Sequence, residues 1–157
     1  MGKNTNTSST VRHCQARPRQ SRSVIVQLPN GVVVQATGLP RAHADPDPDF
    51  GLYLDRRWAS KRLTWDHVIL DWPDFGVPDD IETTHREIKD AYERAANGER
   101  VEIGCWGGVG RTGTVLGCMA VLAGVPAAEA RPWVRQHYNI SAIETEEQHD
   151  FVLAFTA

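Results

Sequence analysis

The sequence predicts an α/β domain in which helices flank a central, mostly parallel sheet. A strand pattern, a long amphipathic helix pattern and a second strand pattern follow one another between positions 67 and 103, which is the order of a parallel crossover unit. The segment at 115–123 is apolar on every side, as is typical of a helix buried at the centre of a domain. The chain has 157 residues, near the usual size of one domain.

The first 22 residues differ in composition from the rest of the chain. They contain five Lys and Arg residues and no acidic residue, so they carry +5, whereas the whole chain carries −3 and residues 23–157 therefore carry −8. We predict a disordered basic tail at 1–22 and a single domain at 23–157. The tail is either an arm for an acidic partner or for nucleic acid, or a solvated leader, and its lack of aromatic residues favours the leader, so we assign it no role.

The composition argues against several classes of protein. No apolar run approaches the roughly 18 residues of a membrane span, and the first ten residues lack the apolar stretch of a secretory signal. We therefore expect a cytoplasmic protein with no membrane partner. Cys14, Cys105 and Cys118 are too widely spaced for a zinc site or a disulfide framework, so we expect neither a metal nor another cofactor.

The predicted domain opens with a β-hairpin. The runs VIVQL at 24–28 and VVVQA at 32–36 flank Asn30-Gly31, the strongest short hairpin signal. The acidic stretch DPDPDF at 45–50 is interpreted as a turn, because Phe50 stands where a calcium loop needs its glycine.

The crossover unit comes next. HVIL at 67–70 predicts a buried strand that leads into the loop DWPDFGVP, and VEI at 101–103 predicts the next strand. Gly98 is the predicted stop of the helix between them. That helix, at 81–95, is indicated by the spacing of Ile81, His85, Ile88, Tyr92 and Ala95.

The last third of the chain is predicted to be helical. Gly124 and Pro126 mark the end of the apolar helix at 115–123. Pro132 cannot donate a backbone hydrogen bond, so we expect a kink or a restart near Arg131.

Residues 104–113 read GCWGGVGRTG, a glycine-rich loop between a predicted strand and the buried helix. Backbone N–H groups converge at such a turn and favour an anion, and the glycines remove Cβ atoms that would block the cradle. Arg111 presents parallel N–H groups that match two phosphate oxygens. The amides, the helix dipole and Arg111 favour the thiolate of Cys105. The loop therefore predicts a phosphate-binding site with a nucleophilic cysteine.

This loop resembles the signature loop of the cysteine-dependent protein tyrosine phosphatases, and DWPDFGVP resembles the mobile acid loop of the same family. SAIETEEQHDFV at 141–152 looks like the glutamine-bearing segment that follows in that family. The resemblance runs from about Trp65 to Phe151, with the three segments in the family's order. The short chain, with no evident phosphotyrosine-clamping loop before Trp65, is most similar to the compact dual-specificity branch.

The resemblance implies a phosphocysteine mechanism with defined residue roles. Cys105 attacks phosphorus, while Asp74 protonates the leaving oxygen and then activates water. Thr112 donates its hydroxyl to the departing thiolate. Gln148 positions the water, or else completes a capping box with Thr145 at a helix start, and both readings stay open. The phosphate-binding residues are Trp106, Gly107, Gly108, Val109, Gly110 and Arg111.

Gly104 departs from the family's pattern, in which a histidine usually precedes the nucleophile and orders the loop. Its presence predicts weaker activation of Cys105. The leading interpretation is a phosphatase for phosphotyrosine in proteins, and also for phosphoserine and phosphothreonine.

Two alternatives remain open. The first is a phosphatase for small metabolites, RNA 5′ ends or phosphoinositides. The loop has no lysine and the domain is acidic, which disfavours nucleic acid and other polyanions. The second is a non-catalytic module that holds phosphorylated partners.

Overall fold

The computed structural model describes residues 23–41 and 46–156, and the predicted tail at 1–22 lies outside them. Five strands, four α-helices and one 3₁₀ helix follow one another along this part of the chain. The strands are β1 (Val24–Gln27), β2 (Val33–Thr37), β3 (Phe50–Tyr53), β4 (Asp66–Ile69) and β5 (Val101–Gly104). The helices are the 3₁₀ helix (Arg56–Ser60), α1 (Ile81–Ala96), α2 (Gly110–Leu122), α3 (Ala127–His137) and α4 (Glu146–Ala154).

The strands form one sheet in the order β1-β2-β5-β3-β4. β1 pairs antiparallel with β2, whereas the other three strand pairs are parallel. Gly31, with φ +90°, lies in the hairpin turn, where the Leu28 amide donates to the Val32 carbonyl at 2.8 Å. The predicted α/β class, the mostly parallel sheet and the opening hairpin are confirmed.

The two faces of the sheet carry different layers. Side chains alternate along each strand, so Val101 and Ile103 of β5 join the main core with the helices, whereas Glu102 points to the opposite face. α2 packs against α1, α3 and α4, and eleven of its residues are buried, as predicted for a central helix. On the opposite face, Tyr53 and Trp58 belong to a second, smaller hydrophobic cluster.

Three details of the predicted elements are wrong. β4 is a partly exposed edge strand rather than a buried one, because β3 lies between it and β5. α2 begins at Gly110, five residues before the apolar run, because its first turn is also buried in the domain. α3 continues through Pro132 as one helix, so of the kink or restart predicted near Arg131 the restart is wrong, since buried Ala130 and Val134 hold both sides of the proline in the core.

β3 has no counterpart among the predicted elements. Its sequence, FGLY, is only four residues long, and Gly51 weakens any strand pattern within it. β3 nevertheless occupies the position between β5 and β4, so its C-terminal end lies beside the glycine-rich loop. In the described ranges, no helix is long and apolar enough to cross a membrane.

Candidate active site

The predicted phosphate-binding loop connects β5 to α2. β5 ends at Gly104 and α2 begins at Gly110, so residues 105–109 form the turn. The Cys105 side chain is buried, and its Sγ accepts a hydrogen bond from the backbone N–H of Gly108 at 3.1 Å. The sulfur therefore lies inside the turn, at a helix N-terminus whose dipole favours negative charge.

Two glycines allow the backbone to follow this course. Gly108 has φ +71°, in the left-handed region that side chains disfavour. Gly38, just after β2, packs so closely that a Cβ there would lie 2.8 Å from the Trp106 carbonyl oxygen. At Gly107, by contrast, a Cβ would meet no protein atom within 4 Å. The cradle thus depends on Gly108 and on Gly38, which sequence reasoning did not identify.

Arg111 is held along one edge of its guanidinium. Its Nη1 lies 2.9 Å from Asp55 Oδ2 and donates to the carbonyls of Leu54 and Trp72 at 3.0 and 2.7 Å. Its Nε and Nη2 are buried and have no hydrogen-bond acceptor among the residues that the structure describes. Buried donors in this arrangement fit an oxyanion, which accepts two parallel N–H groups from one guanidinium.

Asp55 is a site residue that sequence reasoning missed. It follows β3 and caps the 3₁₀ helix, where its carboxylate accepts hydrogen bonds from the backbone and guanidinium of Arg57. The bonds from Arg57, and then those from Arg111, hold the pKa of Asp55 well below its ordinary value, although burial opposes them. Functional residues often follow the C-terminal ends of parallel strands. That rule would have indicated Asp55 only if β3 had been predicted from the sequence.

The acid loop lies beside Arg111. Asp74 Oδ1 is 3.5 Å from Arg111 Nη2, and the Asp74 side chain is 51% exposed. Buried Trp72 anchors the loop, because its indole N–H donates to the Gly76 carbonyl at 2.7 Å while its own carbonyl accepts from Arg111. Phe75 has φ +60°, a strained conformation for a residue with a side chain. The structure thus brings Asp74 next to the predicted phosphate cradle.

Gln148 connects α4 to the acid loop. Its buried amide donates to the Gly76 carbonyl at 3.4 Å and accepts from the Glu144 backbone N–H at 2.9 Å. The Thr145 hydroxyl accepts from the Gln148 backbone N–H at 3.2 Å, which is the N-cap half of the predicted capping box. Thr112, on the first turn of α2, has a buried hydroxyl with no hydrogen-bond partner in the described part of the chain.

Tyr138 supports the loop from the C-terminal end of α3. Its hydroxyl donates a hydrogen bond to the Gly108 carbonyl, on the residue whose N–H binds the Cys105 sulfur. Burial, and then the neighbouring Cys105, raise the pKa of Tyr138, so its hydroxyl stays protonated and can remain a donor. Sequence reasoning gave no sign of this contact, because Tyr138 lies 30 residues beyond Gly108.

A cavity of about 450 Å³ opens between the acid loop and the 3₁₀ helix. Arg57 in its wall also stacks its guanidinium over the ring of Trp106, 3.7 Å from the ring centroid. No cluster of three metal-ligating side chains occurs within residues 23–41 and 46–156. The formal charges of the residues that line the cavity sum to zero, because three are arginines and three are aspartates. They are Arg56, Arg57, Arg111, Asp55, Asp71 and Asp74.

Comparison with known proteins places this site in a family. The model of the protein-tyrosine phosphatase family matches residues 50–155, more than half of the chain. An uncharacterized protein of Methanocaldococcus jannaschii is 40% identical over 82 residues, which are 52% of this chain and 54% of that protein. The chain therefore spans about half the length of this relative.

Solved phosphatase structures share the fold. Kinase associated phosphatase, solved with its catalytic-site cysteine replaced by serine, aligns with a TM-score of 0.70 and 14% identity. The alignment covers 90% of this chain and 100% of that chain. Tk-PTP in its active form has a TM-score of 0.59 and 28% identity, over 68% and 76%. PTPMT1 in complex with PI(5)P has a TM-score of 0.62 and 17% identity, over 78% and 88%. With the family match and the shared fold, the chain belongs to the protein-tyrosine phosphatase family.

Proposed function

We propose that the chain hydrolyses phosphomonoesters through a phosphocysteine intermediate and that phosphotyrosine in proteins is its main substrate. The observation that carries the proposal is the arrangement of one loop and the helix after it. The buried Cys105 sulfur accepts a hydrogen bond from the Gly108 N–H, and the buried Nε and Nη2 of Arg111 make no hydrogen bond within the described residues, although Nη2 lies 3.5 Å from Asp74 Oδ1. A phosphoryl group bound by these donors has its phosphorus within reach of the thiolate. The catalytic-site cysteine of kinase associated phosphatase is consistent with this role.

In the first step, the Cys105 sulfur forms a bond to phosphorus as the bond from phosphorus to the leaving oxygen breaks. The loop amides and Arg111 hold the three equatorial oxygens, where donors already in place contribute most. Asp74 transfers its proton to the leaving oxygen, which departs as a phenol or an alcohol. Its half-exposed carboxyl beside Arg111 suits a group that must meet a bound substrate.

In the second step, water attacks phosphorus and the sulfur–phosphorus bond breaks, which returns Cys105 as a thiolate and releases inorganic phosphate. The Asp74 carboxylate takes the proton from the attacking water. The Thr112 hydroxyl, buried without another partner among the described residues, donates to the departing thiolate. Gln148 positions the water, and its contact with the Gly76 carbonyl keeps its amide on the loop that carries Asp74.

Two exposed aromatic rings support phosphotyrosine as the substrate. Trp106 is 43% exposed and follows the nucleophile, and Phe75 is 58% exposed and follows the acid. Although Arg57 covers one face of Trp106, an exposed ring in each loop favours an aromatic substrate, because a phenyl ring can pack against the part of each ring that is open to solvent. The balanced charges of the cavity wall favour a substrate with one phosphate over a polyanion.

Phosphoinositides are the second candidate substrates. PTPMT1, which shares the fold, has been solved with PI(5)P, and Arg56 and Arg57 stand at one wall of the cavity here. A peptide series and a lipid series separate the two candidates. We expect higher kcat/KM on phosphotyrosine peptides than on phosphoserine peptides or on soluble phosphoinositides. The reverse order, with activity on the lipids that falls steeply as salt is added, would favour phosphoinositides.

The mechanism is tested by hydrolysis of an aryl phosphate in EDTA across a range of pH. Cys105→Ser should abolish turnover, whereas Cys118→Ser, which removes a buried thiol in the middle of α2, should retain it. Acid-quenched wild type should contain a phosphorylated cysteine peptide detectable by mass spectrometry. A folded wild type that binds phosphopeptides without hydrolysing them would contradict the proposal and indicate a non-catalytic module.

A further inference from the structure

The space next to the Gly104 Cα is occupied by the Trp58 side chain. A Cβ on Gly104 would lie 2.8 Å from Cζ2 of Trp58, 3.1 Å from the Tyr53 ring and 3.2 Å from the Thr37 methyl group. Contacts shorter than about 3.4 Å mean that a larger residue at position 104 would have to displace the neighbouring side chains. The position that carries a histidine in the family is therefore glycine here because an indole occupies the adjoining space.

Trp58 also makes a polar contact with the nucleophile's own peptide group. Its indole N–H donates to the carbonyl oxygen of Cys105 at 3.1 Å. The Trp58 side chain is completely buried and stacks on Tyr53, with ring centroids 3.9 Å apart and the planes at 13°. A completely buried donor whose ring is stacked on a neighbouring aromatic ring can hold the orientation of the peptide that it binds.

The segment that carries Trp58 contacts the phosphate-binding loop at two further places. Asp55, its N-cap, pairs with Arg111 at the end of the loop, and Arg57 stacks on Trp106. The 3₁₀ helix and its N-cap residue together thus contact the Cys105 carbonyl, the Trp106 ring and the Arg111 guanidinium. Its own backbone bonds, from the Trp58 amide to the Asp55 carbonyl and from the Lys61 amide to the Trp58 carbonyl, keep the three contacts in one rigid unit.

We propose that Trp58 is a positioning residue that takes the place of the family's missing histidine. By binding the Cys105 carbonyl, its N–H fixes the peptide that leaves β5 and with it the direction of the sulfur relative to the loop amides. The inference rests on the proposed phosphocysteine chemistry for its effect on turnover. The effect on the geometry of Cys105 can be measured without turnover.

The first test compares Trp58→Phe with Trp65→Phe. Phenylalanine keeps an aromatic ring at position 58 but removes the N–H. The control removes an indole N–H from the same face of the sheet, where Trp65 donates to the Tyr53 hydroxyl at 2.8 Å and not to the loop. The readouts are kcat and KM on an aryl phosphate, the melting temperature, and the rate at which iodoacetate alkylates Cys105, followed by peptide mass spectrometry so that other cysteines do not contribute.

We expect Trp58→Phe to lower both the alkylation rate and kcat by roughly three- to tenfold, the value of one hydrogen bond, with a smaller change in KM. Trp65→Phe should leave both rates close to those of the wild type. Equal rates in the wild type and Trp58→Phe overturn the proposal, and so does an equal loss in Trp65→Phe. If the wild type shows no turnover, the proposed function fails, while the alkylation rates still decide the role of Trp58.

The second test exchanges the two side chains. Gly104→His alone should be poorly active, because its Cβ would collide with Trp58. Trp58→Ala alone should also lose activity, since it removes the N–H and leaves a cavity. The double variant Gly104→His with Trp58→Ala gives the imidazole the space of the indole and should recover roughly tenfold over Gly104→His alone. A double variant no better than the product of the single losses overturns the proposal.

Discussion

Asp55 and Arg111 form an ion pair of 2.9 Å in which neither side chain is more than 6% exposed. The carboxylate occupies Nη1 of the guanidinium together with two backbone carbonyls. Because that edge is occupied, the Nε and Nη2 edge is the one that remains for a phosphate. The orientation of the Arg111 guanidinium is therefore set by a residue just after β3, far from the glycine-rich loop in sequence.

Asp55→Asn should weaken both the site and the fold. The amide keeps the shape of the carboxylate but removes the buried counter-charge of the guanidinium, which then has only the half-exposed Asp74, 3.5 Å from Nη2, as an ionic partner. We therefore expect a loss of about 3 kcal/mol in the free energy of unfolding. We expect kcat/KM on an aryl phosphate to fall by about ten- to a hundredfold, measured under conditions where the variant is folded. Asp79→Asn, at an exposed aspartate before α1, is the control. Wild-type kinetics in Asp55→Asn would show that Arg111 is oriented without the carboxylate.

Asp74→Asn should impair catalysis according to the leaving group. Asparagine cannot protonate the departing oxygen. For substrates with a poor leaving group, such as phosphotyrosine, kcat should therefore fall by about 10² or more, and for activated aryl phosphates it should fall much less. The limb of the pH profile that requires a protonated acid should disappear. Asp71→Asn, in the wall of the same cavity, should change kcat little. If the two variants lost the same activity, or if the loss did not depend on the leaving group, Asp74 would not be the acid.

Gly38→Ala and Gly107→Ala should differ sharply. A methyl group on Gly38 would lie 2.8–2.9 Å from backbone atoms of the loop, which cannot rotate away, whereas one on Gly107 meets nothing within 4 Å. We expect Gly38→Ala to weaken inhibition by inorganic phosphate and to lower kcat/KM by at least about tenfold. Gly107→Ala should stay within about threefold of the wild type for both quantities. Wild-type values in Gly38→Ala would mean that the loop tolerates a methyl group at position 38, and an equal loss in Gly107→Ala would mean that the close approach of Gly38 is not what sets the difference.

His85 should make the domain less stable in acid. Burial, and then the nearby Lys89, lower the pKa of His85 below its ordinary 6.5, and its ring packs edge-on against Phe151 and Phe155. The unfolded chain therefore binds more protons than the folded chain as the pH falls below about 6.5. Because of this difference, the free energy of unfolding decreases as the pH is lowered below that value.

Urea unfolding between about pH 8 and pH 5 measures this effect. We expect the stability of His85→Phe to depend less on pH than that of the wild type, whereas His67→Gln, on the exposed edge strand β4, should change the dependence little. An unchanged pH dependence in His85→Phe would assign the acid sensitivity to other groups.

Much of the fold could be predicted because its signals are local. The hairpin followed from Asn30-Gly31, and α1 followed from the spacing of its apolar residues, which the structure confirms to within one residue at its C-terminal end. The fully apolar segment after the loop correctly indicated a central helix. β3 could not be found in this way, because four residues with a glycine in the second position carry too little periodicity.

By itself, the sequence determined the residue types of the candidate site, since Cys105, Arg111 and the glycines between them lie close together and Asp74 lies in a recognisable second loop. Only the tertiary structure decided which distant residues support them. Three supporting contacts depend on β2 and β3 being the two neighbours of β5. They join Asp55 to Arg111, Gly38 to Trp106, and Trp58 to the backbone next to Gly104. Strand order is set by long-range packing and backbone pairing, which leave no periodic trace in the segments that they bring together.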